Sequence, residues 1–294
     1  MFNRNDVLKK SICPRLRFLC LSFFGLNLIV FASFVSAEPI AINNPSFEDN
    51  PAAVPTDITV GIPSGWTAYN PNNIAGVFYG SLYAAPDNYP NGAPHGDHVQ
   101  VNYIAANGAA GAEFGVFQLL SASLEQNTRY TLSVEVGNID SGFNDLNATP
   151  NNPDDDSFFN IAGFNGYRVE LQAVPPGQPP QTLVAQTQSV ADPEPIQDGQ
   201  FRPISISYDS RTAPAELIGM PLQILLVNLN EIDPAFPNQD RETNFDDIRL
   251  EAVDVATNMV AVPVPGLYLV ILGIGLVLYA MAKLARADLL ENRK

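Results

Sequence analysis

Apolar and polar positions alternate with a period of two through most of the chain, as in strands with one face in a core and one in water. The cleanest stretch sets Tyr130, Leu132, Val134 and Val136 against Thr131, Ser133 and Glu135. The same rhythm puts Val99, Val101 and Tyr103 on one face of a strand over 98–104, and Tyr167, Val169 and Leu171 on one face over 167–173. It also aligns Ile204, Ile206 and Tyr208 over 201–208. Further strands are predicted at 40–42, 75–79, 114–120, 182–188 and 243–253. Residues 221–229 are almost continuously apolar, as expected of a central strand covered on both faces. Residues 244–250 break the rhythm, because the adjacent Asp246 and Asp247 shift the phase between Phe245 and the Ile248/Leu250 pair. A strand that slips in this way drives a carboxylate inward, where it needs a partner.

These short strands alternate with Pro-, Gly-, Asn- and Asp-rich turns, and no convincing amphipathic helix lies among them. The pattern predicts an all-β fold, an antiparallel jelly-roll β-sandwich in one domain over 38–254. Residues 140–164, rich in Asn, Asp, Gly and Pro, read as a long loop. Its Asp154-Asp155-Asp156 run lacks the ligand spacing of an EF-hand and reads as a solvated acidic loop.

The two ends follow other rules. Arg4, Lys9, Lys10, Arg15 and Arg17 precede an apolar run over 18–35 and the small-residue site Val35-Ser36-Ala37, an order that predicts a signal peptide over 1–37. The alternative is an uncleaved N-terminal membrane helix. Both cysteines, Cys13 and Cys20, lie in this leader, so an exported chain would carry no disulfide. At the other end, a linker over 255–265 ends in Pro263-Val264-Pro265. An apolar run over 266–282 and a basic tail over 283–294 follow, with Lys283, Arg286, Arg293 and Lys294. The run is just long enough for one transmembrane helix, and the basic residues place its end inside. This tail resembles the PEP-CTERM sorting tails that exosortases recognise, with valine between the prolines where the type pattern has glutamate. The resemblance implies export, an exosortase partner, and residence at the cell envelope or surface, anchored or released after processing; a plain single-pass anchor is the alternative.

Charge narrows the partners. Between residues 38 and 261, 28 acidic residues face six arginines and no lysine, leaving a net charge of about −22. Such a field repels nucleic acid and draws cations. His95 and His98 are the only histidines, and no third protein ligand is spaced to complete a zinc site with them. The aromatics leave two readings open. Trp66, after the Pro63–Gly65 turn, is either a core plug or a ligand platform. Tyr79, Tyr83 and Tyr89 either pack a loop against the sandwich or stack on the apolar faces of sugar rings.

Five segments carry a further resemblance: Asn44-Pro45-Ser46-Phe47-Glu48, Pro63 to Trp66, Asn127 to Leu132, Gly166-Tyr167-Arg168-Val169, and Asn244 to Leu250. Together they resemble the galactose-binding-like jelly rolls of carbohydrate-binding modules, and more closely the calcium-dependent Stig cyclases built on that sandwich. The resemblance implies a calcium site joining the chain ends, with carboxylates from Glu48, Asp246 and Asp247 and backbone carbonyls near Asn44. In those cyclases an aspartate is a general acid toward an alkaloid precursor, a role that falls here on Asp246. Two functions are therefore expected. The first is a calcium-stabilised, membrane-tethered envelope protein that binds polysaccharide or matrix, or is structural, without catalysis. The second is a calcium-dependent cyclase or isomerase of a small molecule.

Overall fold

The computed structural model describes residues 36–49, 58–84, 87–144, 152, 154 and 156–255, with 275, 277, 279, 281 and 283. Nearly all of the leader and most of the linker, apolar run and basic tail lie outside the described residues. Gly275, Val277, Tyr279, Met281 and Lys283 are helical. Among the described residues no helix is long and apolar enough to cross a membrane.

Every strand pairing between residues 38 and 254 is antiparallel. The strands are β1 (Glu38–Ile40), β2 (Ile58–Val60), β3 (Thr67–Tyr69), β4 (Val77–Tyr83), β5 (His98–Ile104), β6 (Phe114–Ser123) and β7 (Thr128–Asn138). They continue as β8 (Gly142–Asn144), β9 (Ser157–Phe159), β10 (Tyr167–Ala173), β11 (Gln181–Gln188), β12 (Gln200–Asp209), β13 (Pro221–Asn228) and β14 (Arg241–Asp254). One sheet runs β12-β7-β14-β5-β4-β2, with β1 joined to β14; a second runs β11-β10-β13-β6-β3; β8 and β9 form a ribbon. Period-two alternation builds the main core between the two large sheets. Leu132, Val134, Val136, Phe245 and Leu250 from one sheet meet Val116, Val169, Leu171, Ile224 and Leu226 from the other.

The sequence gives little hint of a second core. Leu82, Tyr89, Val99, Val101, Ile139 and Ile161 pack on the far face of the seven-stranded sheet. Residues 87–97 and the β8–β9 ribbon cover this face, so the alternating strands are buried on both sides there. The 140–164 stretch is thus not loop throughout; its short strands pair only with each other and roof the sheet.

The phase slip in the last strand is a β-bulge. The register of β14 against β7 shifts between Asp246 and Arg249, and Asp247 takes a positive φ of 48°. The extra residue lets Phe245 and Ile248 both reach the main core while Asp246 points to the opposite face. Ile248 N–H donates to Pro45 C=O at 3.0 Å, which ties the N-terminal turn to the last strand.

Candidate active site

The far face of the seven-stranded sheet holds an apolar cavity of about 180 Å³. Its floor is Phe78 and Leu82 of β4, Tyr103 of β5 and Ile58 and Val60 of the edge strand β2; Ile139, Phe159 and Ile161 close it. Val60 is 72% exposed, so the cavity opens at the sheet edge. Gly80, between Phe78 and Leu82, has no room for a side chain: a Cβ there would lie 2.6 Å from Thr59 C=O.

Among the described residues one carboxyl reaches this cavity, that of Glu242 at the start of β14. Alternation along β14 sends Arg241, Thr243 and Phe245 one way and Glu242, Asn244 and Asp246 the other. Arg241 is turned from the cavity, donating to Asn230 Oδ1 at 2.6 Å and to Gly108 C=O at 2.9 Å. Glu242 is 4% exposed, and burial lifts its carboxyl from the ordinary range to about 7. The hydrogen bond from Asn244 Nδ2 to its Oε1, at 2.8 Å, opposes that rise, and the charge of Asp240 adds to it. Tyr103, also on the wall, donates its hydroxyl to Asp240 Oδ2 at 2.7 Å, and burial raises this phenol far above its usual value. The arrangement can deliver one proton into an apolar, aromatic-lined space and take it back.

Asp246, the expected acid, lies elsewhere. Its oxygens accept N–H bonds from His95 at 2.8 Å and Asp247 at 2.7 Å, and it does not line the cavity. Its carboxyl is raised to about 7, chiefly by burial, with Asp247 and Glu48 adding to the rise. Glu48 Oε1 accepts N–H bonds from Asp97 at 2.9 Å and His98 at 2.8 Å. Glu48, from the N-terminal turn, and Asp246, from the last strand, thus both hold the backbone of residues 95–98.

Not all four expected calcium ligands converge. Asp247 turns to Arg249 at 2.6 Å. Asn44 uses its side chain within its own turn and toward Ser64 C=O, accepting Asp49 N–H at 3.0 Å. Among the described residues no group of three or more His, Cys, Asp or Glu side chains is placed to hold a metal. Glu48 and Asp246 fit a cation on one ground, that a positive charge would relieve the repulsion that helps raise Asp246.

Nor do the aromatics expected to bind ligand form a platform. Trp66 is 6% exposed, a core residue whose indole N–H donates to Asn44 C=O at 3.2 Å. Tyr79 and Tyr83 lie on β4 rather than on a loop. Tyr79 packs against the core and donates to Tyr69 C=O at 3.2 Å, while Tyr83 is 41% exposed. Tyr89 is fully buried. Glu242 escaped sequence reading because it is one of 28 acidic residues; the available signal was three polar residues on one face of a central strand.

The family model described as HpiC1 cyclase matches residues 38–251. Among solved structures, an apo cyclase from Fischerella sp. is 27% identical, covering 74% of this chain and 98% of its own, with a TM-score of 0.55. The Stig cyclase FisC from Fischerella sp. TAU, in complex with (3Z)-3-(1-methyl-2-pyrrolidinylidene)-3H-indole, is 28% identical over the same shares with a TM-score of 0.56. A cyclase from the same source in complex with 4-(1H-indol-3-yl)butan-2-one matches equally well. No curated protein sequence matches the chain.

Proposed function

We propose that this chain, which belongs to the HpiC1-like cyclase family, is an acid-assisted cyclase or isomerase of a small apolar molecule. The observation that carries this reading is Glu242, a carboxyl held near pKa 7 on the wall of an otherwise apolar cavity. The cavity is comparable with apolar cavities of about 150 Å³ that admit one aromatic ring. The indole compounds bound by the Fischerella enzymes suggest a substituted indole as the substrate class, and a carboxylic acid on the wall calls for an alkene on it as the proton acceptor.

In the proposed step the O–H bond of Glu242 breaks and a C–H bond forms at the alkene, leaving a carbocation beside Phe78, Tyr103 and Phe159. Aromatic faces attract such a cation. The π-bond of the ring attacks it to form the new C–C bond, and the proton lost from that ring carbon returns to the Glu242 carboxylate. Atoms balance within the substrate, so no external oxidant or reductant enters. The cyclase reading thus takes precedence over polysaccharide binding, for which the expected aromatic platform is missing.

The test is incubation of the full chain with alkenyl indoles, with product analysis and binding of 4-(1H-indol-3-yl)butan-2-one as a probe. Ile58→Trp fills the cavity from its half-buried edge and is expected to weaken probe binding at least about tenfold. Equal probe affinity in wild type and variant would defeat the assignment of the cavity.

Calcium would be held by Glu48 and Asp246 with backbone carbonyls of the 43–48 turn, in a structural role. A ligand bound only by the native state raises its stability, by about 2.7 kcal/mol at a hundredfold excess over Kd. Calcium is therefore expected to raise the melting temperature and chelator to lower it. An unchanged midpoint would count against the site. Export and surface anchoring rest on the leader and on the tail over 266–282.

A further inference from the structure

Tyr89 packs behind the cavity wall without lining the cavity, yet its hydroxyl is joined to the acid there. It donates to Asn244 Oδ1 at 2.6 Å. The Asn244 amide donates to Glu242 Oε1 at 2.8 Å and to Gln100 C=O at 3.0 Å. All three residues are buried, and both amide hydrogens and the carbonyl oxygen of Asn244 are engaged. The Gln100 carbonyl can only accept, so it selects the amide orientation, and Tyr89 secures it by donating to the carbonyl oxygen.

The sheet makes room for this contact. Gly137 of β7 lies directly opposite Asn244 of β14. A Cβ on Gly137 would lie 2.7 Å from the Tyr89 hydroxyl oxygen and 2.5 Å from the Phe201 ring. Phe201 packs on the Tyr89 ring with centroids 4.5 Å apart. Further along the same loop, His95 is held by Asp246.

We propose that Tyr89 is a positioning residue for the acid. Through Asn244 it keeps an N–H donor on Glu242 Oε1, so that the proton sits on Oε2, to which no donor is directed among the described residues. This inference rests on the proposed role of Glu242. The other titratable groups facing Glu242 are Asp240 on its own chain segment, Tyr103 from β5 and, beyond Asn244, Asp246; none of them donates to Oε1.

The test follows the protonated-carboxyl infrared band of Glu242 against pH in the full chain, isolated as wild type minus Glu242→Gln. Tyr89→Phe removes the donor to Asn244, weakens the amide's hold on the carboxylate, and is expected to raise the midpoint by about half a pH unit. Site-specific replacement of Tyr89 by 3-fluorotyrosine, a more acidic phenol, is expected to lower it. A ring-packing role alone would not give shifts of opposite sign. If Tyr89→Phe does not fold, the fluorotyrosine protein decides alone. A Glu242 band that neither change moves overturns the role of Tyr89 and leaves the acid reading intact. Absence of any Glu242 band in wild type overturns both.

Discussion

Glu242→Gln is expected to slow cyclisation by about 10²–10⁴-fold, the usual worth of a positioned general acid. The amide matches the carboxyl in size, so the cavity keeps its shape and substrate binding changes little; the loss falls on kcat. The pH dependence follows from the sign of the shift. The proton donor is the protonated form, and burial raises its pKa to about 7. Wild-type turnover is therefore level in mild acid and declines as pH rises through about 7, and the residual activity of the variant lacks that limb. Asp246→Asn should not reproduce this behaviour, because Asp246 does not line the cavity. A Glu242→Gln protein with undiminished turnover would remove the acid from the mechanism.

The second large effect is on stability. The Glu242 carboxyl is raised from 4.5 to about 7 in the folded chain. Between those values the native state keeps a proton that the unfolded chain releases. Stability from this group is complete below about 4.5 and is lost as pH rises through 7, by about 3 kcal/mol in total. Glu242→Gln carries no such penalty. The variant is expected to be more stable than wild type at pH 8 by up to about 3 kcal/mol, and of similar stability near pH 4. Denaturant unfolding at the two pH values measures the difference, and the raised carboxyl of Asp246 contributes equally to both proteins. A constant difference across pH would mean that Glu242 is not buried as a neutral acid.

Much of the sandwich was legible in the sequence. The strands over 98–104 and 167–173 have the predicted bounds, because strict alternation is hard to satisfy in any other way. The phase slip at Asp246-Asp247 marked a real bulge, since a core face on both sides of it leaves one residue too many. The strands β2 and β3, three residues each, were hidden in Pro- and Gly-rich sequence, where local signals favour turns. The β8–β9 ribbon was hidden for the same reason, and with it the second core that makes the cavity.

Site residues were read less well, and the causes are tertiary. Tyr89 sits among turn-forming residues that predict exposure, but its loop folds back over the sheet and buries it. Asp246 stood out because it broke a pattern. Glu242 obeyed the pattern, and its chemistry comes from the roof that residues distant in sequence place over it.

The most direct test of the central claim is the pH titration of the protonated-carboxyl infrared band in wild type and Glu242→Gln, each with calcium present. The expected result is a band in wild type minus variant that vanishes with a midpoint near 7. Since Asp246 is raised to about 7 in both proteins, the decisive quantity is the wild-type band minus that of the variant, and no such difference at pH 6 would contradict a neutral Glu242 in the cavity.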